Sequence, residues 1–512
     1  MNLSVRFSSA KHMKQVIARV IACCTLLVLP SCQIPNLHLA EPGPGLPAGF
    51  NAGTSSGSTS PENSAQLGIE EFYTDPMLTR LIQQALVSNR ELKILEQEVQ
   101  IARNEVLARQ GAYLPFVGFG AGGGLNQYST YTLDGASRND DPYLPGKYFP
   151  NPKPDTLVGL NLSWQLDIWR QLRNARDAAQ QRYISASEKR NSFVTHLVAE
   201  VAENYYRLMA LDKRVENLNS IIELQEQSLK VAQAKKDAAR GTELPVQRFQ
   251  AEVRKNQSEK LIIQQQIIEV GNRINFLVNR FPEPVERISA GFFDLNIHSL
   301  SVGVPAQLLQ NRPDIRQAER ELEAAGLDVK VARSRFFPAL AITGGVGFEA
   351  FNPMYLFTNP AQALVANVAG GLVAPLVNKK AIQAEYLTAN ARQLQSVYDY
   401  QRIILNAFTE VVNRMSMVEN YSKSIEIKKQ QVKSLEASVD SATKLFLNAQ
   451  PGVDYIDVLF AQRDLMDARM ELIETKKEQL SAIVNTYQAL GGGGALLPIS
   501  TLQPPQAHPW KK

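Results

Sequence analysis

Cysteine is almost absent from this chain. The three present, Cys23, Cys24 and Cys32, all fall in the first 32 of 512 residues, so the body has no internal disulfide and no thiolate metal site. Long hydrophobic runs are equally scarce. Beyond Cys32 no stretch of about 18 apolar residues occurs without turn formers, which excludes a membrane-spanning helix and leaves strands as the only route through a bilayer. Charge of one sign is also lacking. The formal net charge is +4, and Lys and Arg alternate with Glu and Asp instead of forming a basic patch, so nucleic acid is not an expected partner. Histidines at 38, 196, 298 and 508 show no metal spacing and no paired nucleophile, and no catalytic constellation stands out. No cofactor is expected.

The cysteines that are present cluster behind a basic and then apolar leader. Lys11, Lys14 and Arg19 precede the run Val20 to Leu29, which is too short to span a bilayer as a stable helix and fits the core of a signal peptide over residues 1–31. The run ends Leu29-Pro30-Ser31-Cys32, which resembles the bacterial lipobox, with Pro30 an unusual occupant. That resemblance implies acylation of Cys32, a covalent lipid being the only non-protein group expected. The other reading is an ordinary cleaved signal with an incidental cysteine. Residues 32–66, rich in Pro, Gly and Ser, read as a flexible tether between anchor and body.

The body repeats itself at a period of about 210 to 223 residues, a fact that governs every local motif. Asn89-Arg90-Glu91-Leu92-Lys93 is echoed by Asn311-Arg312-Pro313-Asp314-Ile315-Arg316, and the helices that follow stop at Leu114-Pro115 and Phe337-Pro338. After each stop comes a Gly-rich, nearly uncharged stretch that reads as strand. From Leu157 to Ile168 the alternation is strict, with Val158, Leu160, Leu162, Trp164, Leu166 and Ile168 on one face and Gly159, Asn161, Ser163, Gln165 and Asp167 on the other. The pattern Gly118-Phe119-Gly120-Ala121-Gly122-Gly123 satisfies a dinucleotide fingerprint but lies within a strand and is followed by no helix to receive a phosphate. Each copy then runs through a very long segment free of Pro and Gly, 160–240 and 376–450, expected as a helix of about 70 residues and about 105 Å. A turn and a return helix complete each hairpin.

The expected organisation is a first repeat over 67–290, with strands at about 114–133 and 156–168 and a helical hairpin at about 170–280. A second repeat over 291–493 has strands at about 338–350 and 364–376 and a hairpin at about 378–490, and 494–512 form a tail. The fold class is mixed α and membrane β. Four strands cannot close a barrel alone, whereas three chains would supply twelve.

The residues Asn311 to Arg320, the run Ala332-Arg333-Ser334-Arg335-Phe336-Phe337-Pro338 and the tail Tyr487-Gln488-Ala489-Leu490-Gly491-Gly492-Gly493 resemble the TolC and OprM type of outer-membrane factor, in its lipoprotein branch, over roughly 67–493. The resemblance implies a homotrimer with a twelve-stranded barrel in the outer membrane, continued by a periplasmic α-helical barrel with a closed tip. It implies an exit duct working with an RND-type inner-membrane pump and a periplasmic adaptor protein. It also implies that Asp457 lines the tip aperture, with Phe460 standing where relatives carry a second aspartate, and it matches Gln247 to Asp457 in the first copy. Asp457 reads equally well as a carboxylate in the first turn of a helix, favoured there by the dipole. Trp164 and Trp169 read either as a membrane-interface belt or as packing at the strand-to-helix junction, where the family often has Gly in place of Arg170. The competing functions are an adaptor-like coiled-coil lipoprotein, which would have one hairpin instead of two, and an enzyme using the Gly-rich segments.

Overall fold

A computed structural model describes residues 34–47, 49–50, 63–129, 131–133, 135, 142–289, 291–295, 303–375, 379–447 and 454–493. The signal segment, Cys32, the second hairpin turn at 450–453 and the tail 494–512 lie outside the described residues. The principal helices are α1 (Pro76–Ser88), α2 (Arg90–Ala112), α3 (Gln171–Asp237), α4 (Glu243–Leu277), α5 (Pro313–Ser334), α6 (Lys380–Leu447) and α7 (Tyr455–Ala489). The strands are β1 (Phe116–Asn126), β2 (Lys153–Leu166), β3 (Ala339–Ala350) and β4 (Leu364–Val373). The exclusion of Pro and Gly has the expected result, since α3 and α6 are 67 and 68 residues long, about 100 Å each. The β3–β4 connection, expected as a loop, contains two short helices, Pro353–Thr358 and Pro360–Ala363. Each begins at a proline, which suits a first helical position.

The chain divides into two compact units. One gathers the described residues of Met1–Glu41, Ile101–Tyr183 and Arg320–Tyr398; the other gathers those of Pro42–Gln100, Ile184–Glu319 and Asp399–Lys512.

The first unit holds an antiparallel sheet in the order β1-β2-β3-β4, so the two copies join through β2 and β3. Gly159 and Gly347 face one another at that join. A Cβ on Gly159 would lie 2.6 Å from the Val346 carbonyl oxygen, and one on Gly347 would lie 2.5 Å from that of Val158, so the close approach requires glycine on both strands. Beyond the strands, the rings of Tyr143, Phe149, Phe351 and Tyr355 pack at centroid distances of 4.9 to 5.4 Å, tying the β1–β2 connection to the β3–β4 connection. At the other end the Trp164 indole donates to the Tyr113 carbonyl at 3.1 Å and the Trp169 indole to that of Pro338 at 2.8 Å. Trp169 also stacks on Phe337 at 4.7 Å, so both tryptophans fasten strands to the preceding helix stops. Arg170 follows with φ 59°, the left-handed conformation that explains why glycine suits this junction. Asp167 then starts α3 by accepting the Leu172 and Arg173 amides at 2.9 and 3.0 Å.

Where a flexible tether is expected, the described chain lies against α6. In the first unit the His38 amide donates to Asn390 Oδ1 at 3.0 Å, Asn390 Nδ2 donates back to the His38 carbonyl at 3.1 Å, and Ile34 and Leu37 pack near Phe336, Ile382 and Tyr386. In the second unit Phe50 stacks on Phe408 at 5.4 Å. Composition misleads here because Asn390 recognises the backbone N–H and C=O of His38, groups that every residue but proline carries, and a few apolar side chains suffice to hold the segment.

The second unit contains α1, the start of α2 and a layer of helices in the order α4, α3, α7, α6. Asn256 on α4 donates to Gln225 on α3 at 2.8 Å; Gln462 on α7 donates to Ser228 on α3 at 3.1 Å; Gln479 on α7 donates to Ser422 on α6 at 2.7 Å. Its main core runs along α3 and α7 and includes Leu208, Leu218, Ile221, Leu465 and Leu480. The return helices α4 and α7 are both 35 residues long, and 212 residues separate Glu243 from Tyr455 and Leu277 from Ala489. The same shift carries every buried residue of α4, from Val246 through Phe249, Val253 and Ile263 to Leu277, onto a buried residue of α7. The ends match as well. Asn279 (φ 55°) and Gly491 (φ 93°) close α4 and α7 in the left-handed conformation. The exposed-carbonyl problem at each end is solved alike, since Asn89 Nδ2 donates to Leu277 O at 2.9 Å and Arg312 Nη1 to Ala489 O at 2.8 Å.

Candidate functional site

Strand register sorts the sheet residues into two faces, because directly paired residues point to the same side. One set of rows reads Phe116–Ser163–Thr343–Ala369, Gly118–Asn161–Gly345–Asn367 and Gly120–Gly159–Gly347–Val365. The middle of this face is small and polar, with Phe116 and Val365 on the two edge strands. Asn161 and Asn367 flank Gly345, where a Cβ would lie 3.3 and 3.1 Å from their Oδ1 atoms. The intervening rows read Val117–Leu162–Gly344–Val368, Phe119–Leu160–Val346–Ala366 and Ala121–Val158–Phe348–Leu364. This second face is apolar yet open, with Phe119 72% and Val368 83% exposed. A soluble sheet buries its apolar face against another layer; a sheet that leaves it uncovered suits hydrocarbon on that side and water on the other. Glycine in β1, β3 and β4 masks this alternation in the bare sequence, and pairing to β2 recovers it.

Both edges of the sheet, β1 and β4, lack a partner strand among the described residues. Both edges of the helical layer carry exposed apolar side chains: Leu261, Ile262, Ile268 and Phe276 on α4, and Leu405 and Ile427 on α6. No described helix is long and apolar enough to cross a membrane.

The hairpin ends meet in a small core of Ala232, Val246, Phe249, Phe446 and Val458. Lys235 Nζ donates to the Phe446 carbonyl at 2.8 Å and stands 3.7 Å from the centre of its ring. Asp457 is exposed and caps α7, its Oδ2 accepting the Asp454 amide at 2.8 Å while Asp454 Oδ1 accepts the Tyr455 amide at 2.7 Å. Phe460 lies one turn on, 47% exposed, with the Arg463 guanidinium 5.1 Å from its ring centre. Gln247 is exposed and donates to Glu243 Oε1 at 2.7 Å, while Glu243 also pairs with Lys236 and is held below the usual carboxylate range, first by that hydrogen bond and then by Gln247. The two residues are not equivalent. The 212-residue register sets Pro245 against Asp457 and Leu459 against Gln247, which corrects the letter-based match. The physical reason is the capping residue: Thr242 begins α4 and Asp454 begins α7, and only Asp457 completes a capping box.

One structural centre escapes a reading for chemistry altogether. Arg312 is 5% exposed and binds both oxygens of Asp314, at 3.0 and 2.7 Å, together with Glu410 at 3.0 Å. Burial opposes ionisation of Asp314, but the hydrogen bonds and charge of Arg312 outweigh it and hold the carboxyl below its ordinary range. Among the described residues no group of acidic, histidine or cysteine side chains could hold a metal ion.

The chain is 25% identical over 480 residues to the cation efflux system protein CusC of Escherichia coli O6:H1, covering 93% of this chain and 98% of that one. It is 26% identical over 478 residues to the solvent efflux pump outer membrane protein SrpC of Pseudomonas putida, covering 91% and 97%. Among solved structures, the outer-membrane channel OprN superposes with a TM-score of 0.77 at 23% identity, over 90% of this chain and 98% of that one. The family model of the outer membrane efflux protein matches residues 81–280 and 304–492. The chain therefore belongs to the outer membrane efflux protein family, and it is an outer-membrane channel of an efflux system and not an enzyme.

Proposed function

We propose that three copies close into a ring whose twelve strands cross the outer membrane and whose helices form a periplasmic duct. The observation that carries this reading is a four-stranded sheet with an open apolar face and two unpaired edges. Unpaired strand edges are intolerable in lipid, and each unit ends in one left and one right edge that copies of the same chain can satisfy head to tail. The small polar face then lines the lumen. Relatives named for cations and for solvents are similar to this chain to the same degree, which supports a permissive duct whose substrates are selected upstream by an RND-type pump and delivered through a periplasmic adaptor.

Acylation of Cys32 fits the N-terminal docking. Cys32 lies two residues, at most about 7 Å, before Ile34, which packs at the start of α6, and α6 begins seven residues after β4 ends at Val373. An acyl anchor on Cys32 would thus reach the membrane surface without strain. At the tip, copies of Asp457 would give the aperture a ring of negative potential, with Gln247 on the first hairpin contributing a neutral amide. The purified protein in a planar bilayer should give discrete conductance steps and run as a trimer in mild detergent; a silent monomer refutes the channel ring. Asp457→Asn should weaken block by multivalent cations, and an unchanged block removes Asp457 from the aperture.

A further inference from the structure

We infer that the seam between neighbouring helical layers is keyed by Ile427, which inserts as a knob into a hole formed by Leu261, Gln264, Gln265 and Ile268 of the next copy. This deepens the ring reading above and rests on it. Ile427 is 68% exposed, and Leu261 and Ile268 are 67% and 56% exposed, so both edges present apolar surface that the chain itself leaves uncovered. Each set lies on the side of its helix turned away from the layer's own core. Ile425 on α6 and Ile263 on α4 are buried, and Ile427 and Gln265 each follow two residues later, roughly 200° around the helix.

Contacts within one chain set the heights. Lys235 on α3 meets Phe446 on α6, and these helices run in the same direction, so ten residues back Gln225 and Glu436 stand level. Asn256 on α4 meets Gln225 and therefore shares that height. Helix α4 runs the opposite way, so nine residues onward Gln265 is level with the residue nine positions back on α6, which is Ile427. In a ring of equal-height copies the knob faces Gln265. Leu261, Gln264, Gln265 and Ile268 have the i, i+3, i+4, i+7 spacing of a hole in knobs-into-holes packing. The charges agree with the same register: Glu269 falls level with Lys423, each four residues from Gln265 and Ile427 and on the same helix faces. Opposite signs meet at that height.

Cysteine scarcity makes the test direct. The full-length protein carrying Ile427→Cys and Gln265→Cys, oxidised in membranes, should yield covalent dimers and trimers under non-reducing conditions. The pairs Ile427→Cys with Asn272→Cys and Ile427→Cys with Ser258→Cys move the second thiol two turns up or down, about 10 Å, and should cross-link at least about tenfold less, because disulfides tolerate only short Cβ separations. An intact trimer that cross-links no better through position 265 than through 258 or 272 overturns the knob while leaving the ring standing. A monomer before oxidation overturns both.

Discussion

A lysine placed on neighbouring positions of β4 tests which face of the sheet meets lipid. Val368 lies in the middle of Leu364–Val373 on the apolar face, 83% exposed, while Asn367 beside it faces the opposite side. Val368→Lys would bring an ammonium toward hydrocarbon, costing about 2–4 kcal/mol per chain near the bilayer midplane. Since about 1.4 kcal/mol is a factor of ten, each chain loses roughly 30-fold to 1,000-fold in its folding equilibrium, and the three sites of a ring compound that loss. Asn367→Lys exchanges one hydrated side chain for another and should cost well under 1 kcal/mol. The assay is urea-induced unfolding in lipid vesicles followed by tryptophan fluorescence, with heat-resistant migration on gels as a second readout. Equal midpoints for the two variants would refute the face assignment, and a larger loss for Asn367→Lys would invert it.

Arg170→Gly should stabilise the protein by about 1 kcal/mol, because a left-handed φ of 59° disfavours a side chain and the Asp177 contact at 3.9 Å is too exposed to offset it; a lowered thermal midpoint in detergent would contradict this. Gly347→Ala should prevent proper pairing of β2 and β3, since its Cβ would fall 2.5 Å from a carbonyl oxygen, whereas Gly122→Ala meets open space and should be tolerated; comparing heat-resistant oligomer yields decides it. Arg312→Met should cost about 3–5 kcal/mol by leaving Asp314, Glu410 and the Ala489 carbonyl without their shared donor, read as a lowered urea midpoint. The Asp314 carboxyl is lowered on folding, so its contribution is complete above the unfolded carboxylate pKa of about 3.9 and is lost as pH falls through the folded value. Acid sensitivity below about pH 4 should therefore be smaller in Arg312→Met, and an unchanged acid profile would show that other carboxylates dominate.

What the sequence could reveal followed from how much each feature depends on neighbours. The long helices were legible because excluding Pro and Gly is a local property of each segment, and β2 was legible because its apolar residues alternate without interruption. The two faces of β1, β3 and β4 were not, because glycine carries no polarity to alternate and only pairing with β2 assigns a side. The tip equivalence failed for a related reason. Matching letters aligns Gln247 with Asp457, but the buried spacing of Val246, Phe249 and Val253 against Val458, Ala461 and Leu465 fixes another register. Arg312 was visible as a motif, although its role as the shared donor for two carboxylates and a helix-end carbonyl requires Glu410 and Ala489, which lie far along the chain.

The return helices of the two hairpins are equal in length but unequal in surroundings, and that inequality extends to the tips. Helix α7 is flanked by α3 and α6, so it buries Gln462, Met466, Ile473 and Lys476 in addition to the positions it shares with α4. Helix α4 lies at an edge and keeps those faces open. Helix α7 is restrained on both sides and has a narrow free stripe that contains Asp457 and Phe460. At the tip the first copy offers Pro245 where the second offers Asp457, and Arg248 where the second offers Phe460. A ring built from such chains alternates two chemically different tips, so perturbing the second hairpin should alter ionic block more than the matching change in the first. Asp457→Asn removes a carboxylate from the second tip and Pro245→Asp adds one to the first, so in the same conductance measurement changes in block of equal size and opposite sign would mean that both tips line the aperture alike.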